Sequence, residues 1–272
     1  MACKRLKDLQ EHCSDLALII NQIGYHDLND WLMISSGVNE IDISWNRFDK
    51  TSQREWCRPA YESDLSKERI TKNYIKELTI FNYIWGGLEA LSSKIFTRTQ
   101  IKKYGKVNCI NKFLNSRPRN LPLYGINCEK NTFFKLLSII KSSKLIKLRN
   151  KDYNNELEII YEIRNQLAHG SLLFPDEDFF FLKQLNPKYL FTFINTCSRL
   201  VLFFIQAIIS YHSEERYVYS FFDNLFENIN YENYGDDIFK LDYIMSRIHL
   251  KKIPLTDMRI TLFDKPYFEL DN

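Results

Sequence analysis

Apolar residues return at three- and four-residue intervals along most of this chain, the spacing that lines one face of an α-helix. Leu6, Leu9, Cys13, Leu16 and Ile20 form the first such set. A stretch holding Trp31, Trp45 and Trp56 follows without a clear period and leaves room for short strands, such as Ile41–Trp45. Ile75, Leu78, Phe81, Trp85, Leu88 and Ile95 then predict a strongly amphipathic helix over 72–97. Residues 98–130 contain Gly105, Pro118, Pro122 and Gly125, and read as loop with one short helix around Val107–Leu114. Lys130–Leu148 reads as a helix. Leu157, Ile160, Tyr161, Arg164, Leu167 and Ala168 mark the next, with Asp152, Asn154 and Asn155 available to cap its start and Gly170 placed to end it. After a loop with Pro175 and Pro187, whose segment Asp176–Phe181 is acidic and then aromatic, an apolar helix is predicted over 188–212. The remainder alternates helical and irregular signals.

Composition supports the helical reading. Gly and Pro number only 8 and 7 in 272 residues, too few for a loop-rich β architecture. The predicted fold class is mainly α: a helical bundle over 71–212 with a basic insert at 98–130, an N-terminal accessory region over 1–70 and an acidic, aromatic region over 213–272. In the most apolar stretch, Tyr189–Tyr211, the polar residues Asn195, Ser198, Arg199 and Gln206 interrupt. A charge in mid-span is costly in lipid, so this is read as a bundle or dimer-interface helix and no membrane is expected. The apolar run Leu16–Ile20 is too short for a signal peptide. The six cysteines (Cys3, Cys13, Cys57, Cys109, Cys128, Cys197) show no C-x-x-C pair, and the five histidines do not join them at zinc spacing. Reduced thiols, a cytoplasmic location, and no metal or cofactor are the expectation.

Charge changes the picture. The formal net charge is only +3, yet residues 94–151 carry fifteen Lys/Arg against one acid, Glu129. Residues 213–272 and 1–70 are net acidic. A basic block suits a polyanion, because neutralising phosphates releases counterions. Tyr104, Phe113, Tyr124, Phe133 and Phe134 are interleaved with it and are candidates for stacking on unpaired bases. The acidic C-terminal region is a candidate to dock on this block or on a second protein.

The chemistry concentrates in Glu162-Ile163-Arg164-Asn165-Gln166-Leu167-Ala168-His169-Gly170. A guanidinium grips a phosphate through forked, charge-assisted hydrogen bonds. An imidazole moves a proton near neutral pH. Together they form a minimal set for cleaving RNA without a metal. On an ideal helix five steps turn His169 about 140° from Arg164 and lift it about 7.5 Å, so the last turn must unwind to bring them together.

Arg-Asn, three residues, then His-Gly resembles the R-x4-6-H motif of the HEPN superfamily of helical-bundle ribonucleases. Tyr83-Ile84-Trp85-Gly86-Gly87-Leu88-Glu89-Ala90-Leu91 is similar to the early helix of that family, whose acidic residue, here Glu89, often faces the Arg/His pair. The two elements span roughly residues 72–212. The resemblance implies metal-independent RNA cleavage in phage defence or a toxin system, with Arg164, Asn165, His169 and Glu89 as the catalytic set. It implies a homodimer that brings two such sets together, and leaves a regulatory protein partner open. His169 would be general base on the ribose 2′-OH or acid on the leaving 5′-oxygen. Arg164 would stabilise charge on phosphorus. Asn165 would orient the His, the phosphate or the partner helix, and Glu89 would hold Arg164 or tune His169. Family members controlled by modification of a Tyr two positions after the His differ here, where that position is Ser171. The alternatives are a non-catalytic helical interaction module and, less supported for want of helix-turn-helix spacing, a DNA-binding regulator.

Overall fold

The computed structural model describes residues 6–43, 58–116, 123–149, 152–153, 155–169, 180, 183, 185–213, 217–219 and 238–251. These are mainly helical, as the apolar spacing predicts. Helix α1 (Leu9–Gln22) starts where the Asp8 carboxylate accepts from the Glu11 N–H at 2.7 Å. A tight turn at Gly24, with φ of +80°, leads into α2 (His26–Gly37). Trp31 therefore sits in a helix, and residues 41–43 form no strand; Trp45 and Trp56 lie outside the described residues.

Helix α3 (Arg58–Ile95) is 38 residues long and begins well before the predicted 72. It runs unbroken across residue 70, where the sequence reading placed a domain edge. Gly86 and Gly87 sit where α2 crosses it. A Cβ on Gly86 would lie 2.8 Å from the Trp31 ring, and one on Gly87 would lie 2.9 Å from Leu28 Cδ1. Each glycine costs the helix about 1 kcal/mol against alanine, and together they let α2 approach the α3 backbone.

The basic insert is more helical than predicted. Helix α4 (Arg98–Tyr104) opens with a capping box between Thr97 and Gln100, and α5 (Lys106–Asn115) follows at once. Gly105, with φ of +78°, is the joint between two helices rather than the mark of a loop. Pro118 and Pro122 lie outside the described residues. Helix α6 (Ile126–Ser142) starts and stops earlier than predicted, because Lys144 adopts a left-handed φ of +63° just past its end. Helices α7 (Glu156–Ala168) and α8 (Pro187–His212) lie close to their predicted spans. Gly170, Pro175 and most of Asp176–Phe181 lie outside the described residues. A two-stranded antiparallel pair, β1 (Tyr217–Tyr219) and β2 (Ile238–Lys240), precedes the short α9 (Leu241–Met245).

Helix α8 is the axis of the core. It is apolar over most of its surface, as a largely buried helix must be, and packs on α3 and α6 with α1, α7 and α9 alongside. By length and composition it could cross a membrane, but 78% of its most apolar window is buried inside the protein. Leu16, Ile20, Phe81, Ile84, Phe133, Phe193, Phe203 and Ile244 belong to one buried cluster, which thus draws on both flanking regions as well as the centre.

The polar residues of α8 are enclosed with partners. Gln206 accepts from His12 Nε2 at 2.9 Å and donates to the Met245 carbonyl and, at 3.1 Å, to His249 Nδ1. His249 Nε2 donates to the Tyr124 carbonyl at 2.6 Å. Arg199 donates to the Lys7 carbonyl at 2.8 Å and faces His12 Nδ1 at 3.5 Å. Burial first, and the Arg199 charge second, hold His12 well below its usual pKa; burial pushes His249 down to about 3. Cys13, Cys109 and Cys197 are free and buried, and Cys128 is disulfide-bonded. That last finding corrects the expectation that all six thiols are reduced: scattered spacing in the chain says nothing about which cysteines the fold brings together.

Candidate active site

Helix α7 is pinned at its start and along one side. At its start the Asn155 side chain accepts from the Glu158 N–H at 3.2 Å and donates to Asn111 Oδ1 at 2.7 Å. Asn111 in turn donates to Glu158 Oε1 at 3.1 Å, closing a ring that ties α7 to α5. Along one side, Glu162 accepts from the Arg149 N–H at 2.6 Å and the Tyr153 hydroxyl at 2.7 Å. Burial, then the Glu162 bond, pushes the Tyr153 phenol up to about 12. Gln166 brackets Lys147, donating to its carbonyl at 2.6 Å and accepting from its N–H at 3.3 Å.

These bonds decide where Arg164 turns. The carboxylates of its own helix, Glu156, Glu158 and Glu162, already have other partners. Arg164 reaches instead across to α3, where its Nη2 lies 3.7 Å from Glu89 Oε1. The pair is partly open to solvent, at 31% and 37% exposure. The same Glu89 oxygen accepts from Trp85 Nε1 at 2.7 Å, and Lys106 lies 3.3 Å from Oε2. One carboxylate therefore organises an indole, a lysine and the arginine. Arg164 is not saturated by it: its buried Nε–H has no acceptor among the described residues. A guanidinium offers five donors in a planar fork, so most of its capacity stands unused.

His169 closes α7 as its C-terminal cap, with φ −93° and ψ 8° and its N–H donating to the Asn165 carbonyl at 3.0 Å. The ring is exposed and makes no side-chain hydrogen bond among the described residues. A groove of about 950 Å³ runs past it, bounded by α3, the α4–α5 joint, Lys147, Arg149, Asp152 and α7. Glu89, Asn165 and His169 all line this groove, together with Trp85, Tyr161 and Lys106. Lys147 and Arg149 add cationic character, while Asp152, Glu158 and Glu162 keep the wall from being uniformly basic. Three of the four residues singled out in the sequence thus share one cleft. Arg164 is joined to it through Glu89, and no hydrogen bond links Arg164 to His169.

Of the five aromatics proposed as base-stacking candidates, only Tyr104 lines the groove, with the Lys112 ammonium 3.2 Å from its ring centroid. Phe133 is fully buried and stacks on Phe193, Phe113 packs edge-on to Phe96, and Tyr124 lies under Arg247. Phe134 is exposed but lies outside the groove lining. Trp85, Tyr161 and Lys106 are groove residues that the sequence reading did not single out for function. Part of the signal was available: Trp85 stands four residues before Glu89 and Tyr161 three before Arg164, the spacings that share a helix face, although spacing does not show that the two faces meet. A second cavity, of about 1010 Å³, lies between α3 and the start of α8 and contains none of the four. Its half-buried Glu77 carboxyl, raised by burial, accepts from Asn195 at 3.3 Å.

No protein-family model, curated protein or solved structure matches this chain.

Proposed function

We propose that the chain is a metal-independent endoribonuclease of the HEPN type, acting on single-stranded or looped RNA as a homodimer in phage defence or a toxin system. The observation that carries this reading is the shared groove: Glu89, Asn165 and His169 line it, and Arg164 with unused donors is tethered at its edge by Glu89. In the proposed reaction the ribose 2′-oxygen attacks phosphorus while its proton passes to an imidazole. The bond from phosphorus to the 5′-oxygen breaks, and that oxygen takes a proton from a second acid. The products are a 2′,3′-cyclic phosphate and a 5′-hydroxyl. Arg164 stabilises the charge that builds on the phosphoryl oxygens, which an under-bonded guanidinium suits. Asn165 and Glu89 position these two groups. One imidazole per chain supplies either the base or the acid, and a second chain would supply the other.

The deciding experiment offers single-stranded RNA to the purified protein in excess EDTA. Cleavage by the wild type, lost in a folded His169→Ala variant, supports the proposal. A wild type that leaves every RNA intact while binding a protein stoichiometrically would replace it with the interaction-module reading.

A further inference from the structure

Tyr161 is one of two exposed aromatics in the groove lining, with Tyr104, whose ring already carries the Lys112 ammonium. It projects from α7 onto Trp85 of α3, the two rings nearly parallel at 19° with centroids 5.9 Å apart. Trp85 is buried at 2% exposure, whereas Tyr161 remains 42% exposed with one face already covered. Its other face is therefore presented to the groove. The indole beneath cannot easily turn, because its N–H is held by Glu89 at 2.7 Å.

The same carboxylate oxygen faces Arg164. Trp85 and Glu89 on α3, and Tyr161 and Arg164 on α7, thus make two rungs between the same pair of helices. One rung is a ring stack and the other an ion pair. They are three to four residues apart along each helix axis, or about 4.5–6 Å, the scale that separates a base from its own phosphate.

Resting on the ribonuclease reading of this groove, we infer that Tyr161, backed by Trp85, is the platform on which one unpaired base of the substrate stacks, fixing the neighbouring phosphate against Arg164. The ligand class follows from the geometry. A single flat ring face takes any unpaired base, and a base paired inside a duplex cannot reach it. The platform is a binding and positioning element, selecting single strands over duplex. Lys106 and Lys147, on the groove wall, supply sequence-independent attraction to the backbone.

The test uses the full-length protein and a fluorescent single-stranded RNA of about twelve nucleotides, with a matched duplex and a series in which one base at a time is removed to leave an abasic sugar. Binding is read by anisotropy in the His169→Ala background, so that turnover does not intervene, and cleavage is read separately with His169 intact. Tyr161→Ala should weaken single-strand binding about 5- to 100-fold, the range of a lost stack, and leave the weak duplex binding unchanged. Tyr161→Phe should keep it. One abasic position should weaken binding to Tyr161 protein by a similar factor and have no effect on Tyr161→Ala. If the protein cleaves RNA but neither Tyr161→Ala nor any abasic position matters, the platform is wrong and the ribonuclease reading stands. If no RNA is cleaved but the abasic effect vanishes with Tyr161, the platform stands as a binding site and the catalytic reading falls.

Discussion

Two arginine–histidine sets occupy this molecule, one at its centre and one on its groove. Arg199 and His12 are enclosed between α1 and α8, where Arg199 bonds the Lys7 carbonyl and His12 bonds Gln206. His249 completes the same network through Gln206 and Tyr124. Nearly every donor finds an acceptor, and burial keeps both imidazoles neutral. Arg164 and His169 are treated in the opposite way. Arg164 has one long ion pair and an orphaned N–H, and His169 has no side-chain bond among the described residues. The same residue types thus serve architecture where their bonds are satisfied, and are free for chemistry where they are not. A long, partly exposed ion pair and an unbonded imidazole beside a groove, rather than the presence of the pair, are the mark of a candidate site.

The strongest way to break this contrast is to remove one histidine from the groove. His169→Ala should lower RNA cleavage by about 10²- to 10⁴-fold, the usual share of a general acid or base. Its unfolding midpoint in urea should stay where the wild type has it, since an exposed ring without partners contributes little to stability. A variant that loses activity and stability together would place His169 with the architectural set.

The converse substitution is Arg199→Leu. Here the expected loss is in stability, about 3 kcal/mol, because the Lys7 carbonyl and the Glu129 carboxyl lose their buried cation. Arg164→Leu should cost under about 1 kcal/mol, as a partly exposed ion pair does, while cleavage falls severely. Equilibrium urea unfolding of both variants checks the difference, and equal losses would erase it.

How much of this was legible in the chain varies with the range of the interaction. Periodicity located α3, α7 and α8 because each repeats its apolar face over three or more turns. It missed α4 because the Thr97–Gln100 capping box is a local signal that Gly105 and the nearby prolines outweighed. It left α2 open because Trp31 packs on α3 beside Tyr83, Gly86 and Gly87, a contact between distant residues. At the site, Arg164, Asn165 and His169 were readable from seven consecutive residues, and Glu89 from resemblance. Lys106 and the Tyr161–Trp85 stack depend on three helices meeting, which spacing along one helix does not reveal. The neutrality of His12 and His249 was hidden for the same reason: it comes from enclosure by segments almost two hundred residues apart.

That neutrality gives the next prediction, which separates the two sets by pH. Unfolded histidine titrates near 6.5, while folded His12 and His249 are held below it, His249 at about 3. Below pH 6.5 the unfolded chain therefore binds more protons than the folded one, and stability must fall as pH falls. The loss is up to about 1.4 kcal/mol per pH unit for each buried histidine. Glu77 and Glu129, whose folded carboxyls are raised by burial, act in the opposite sense from about pH 4.5 up to their folded values and offset part of the histidine loss. Urea unfolding at pH 7.5 and 5.5 should differ by one to a few kcal/mol by the same proton linkage. A flat profile would mean that the central imidazoles are not held neutral.

The finest test falls on Glu89, which lies on the active side of the comparison but behaves partly as architecture. Its carboxylate fixes Trp85 and Lys106, and its charge also cancels part of the field that Arg164 offers a phosphate. Glu89→Gln keeps an oxygen to accept from Trp85 and removes the charge. Stability should change by less than about 1 kcal/mol, since the pair is more than a third exposed on the Glu side. Substrate should bind severalfold tighter, because Arg164 and Lys106 then meet the RNA without a competing anion. Turnover should fall by a similar factor, because the guanidinium loses the anchor that aims it. A lower KM with a lower kcat is the signature of a positioning residue that also restrains binding. If KM rises instead, Glu89 supports substrate directly. If neither moves, Arg164 is aimed by something other than the carboxylate facing it.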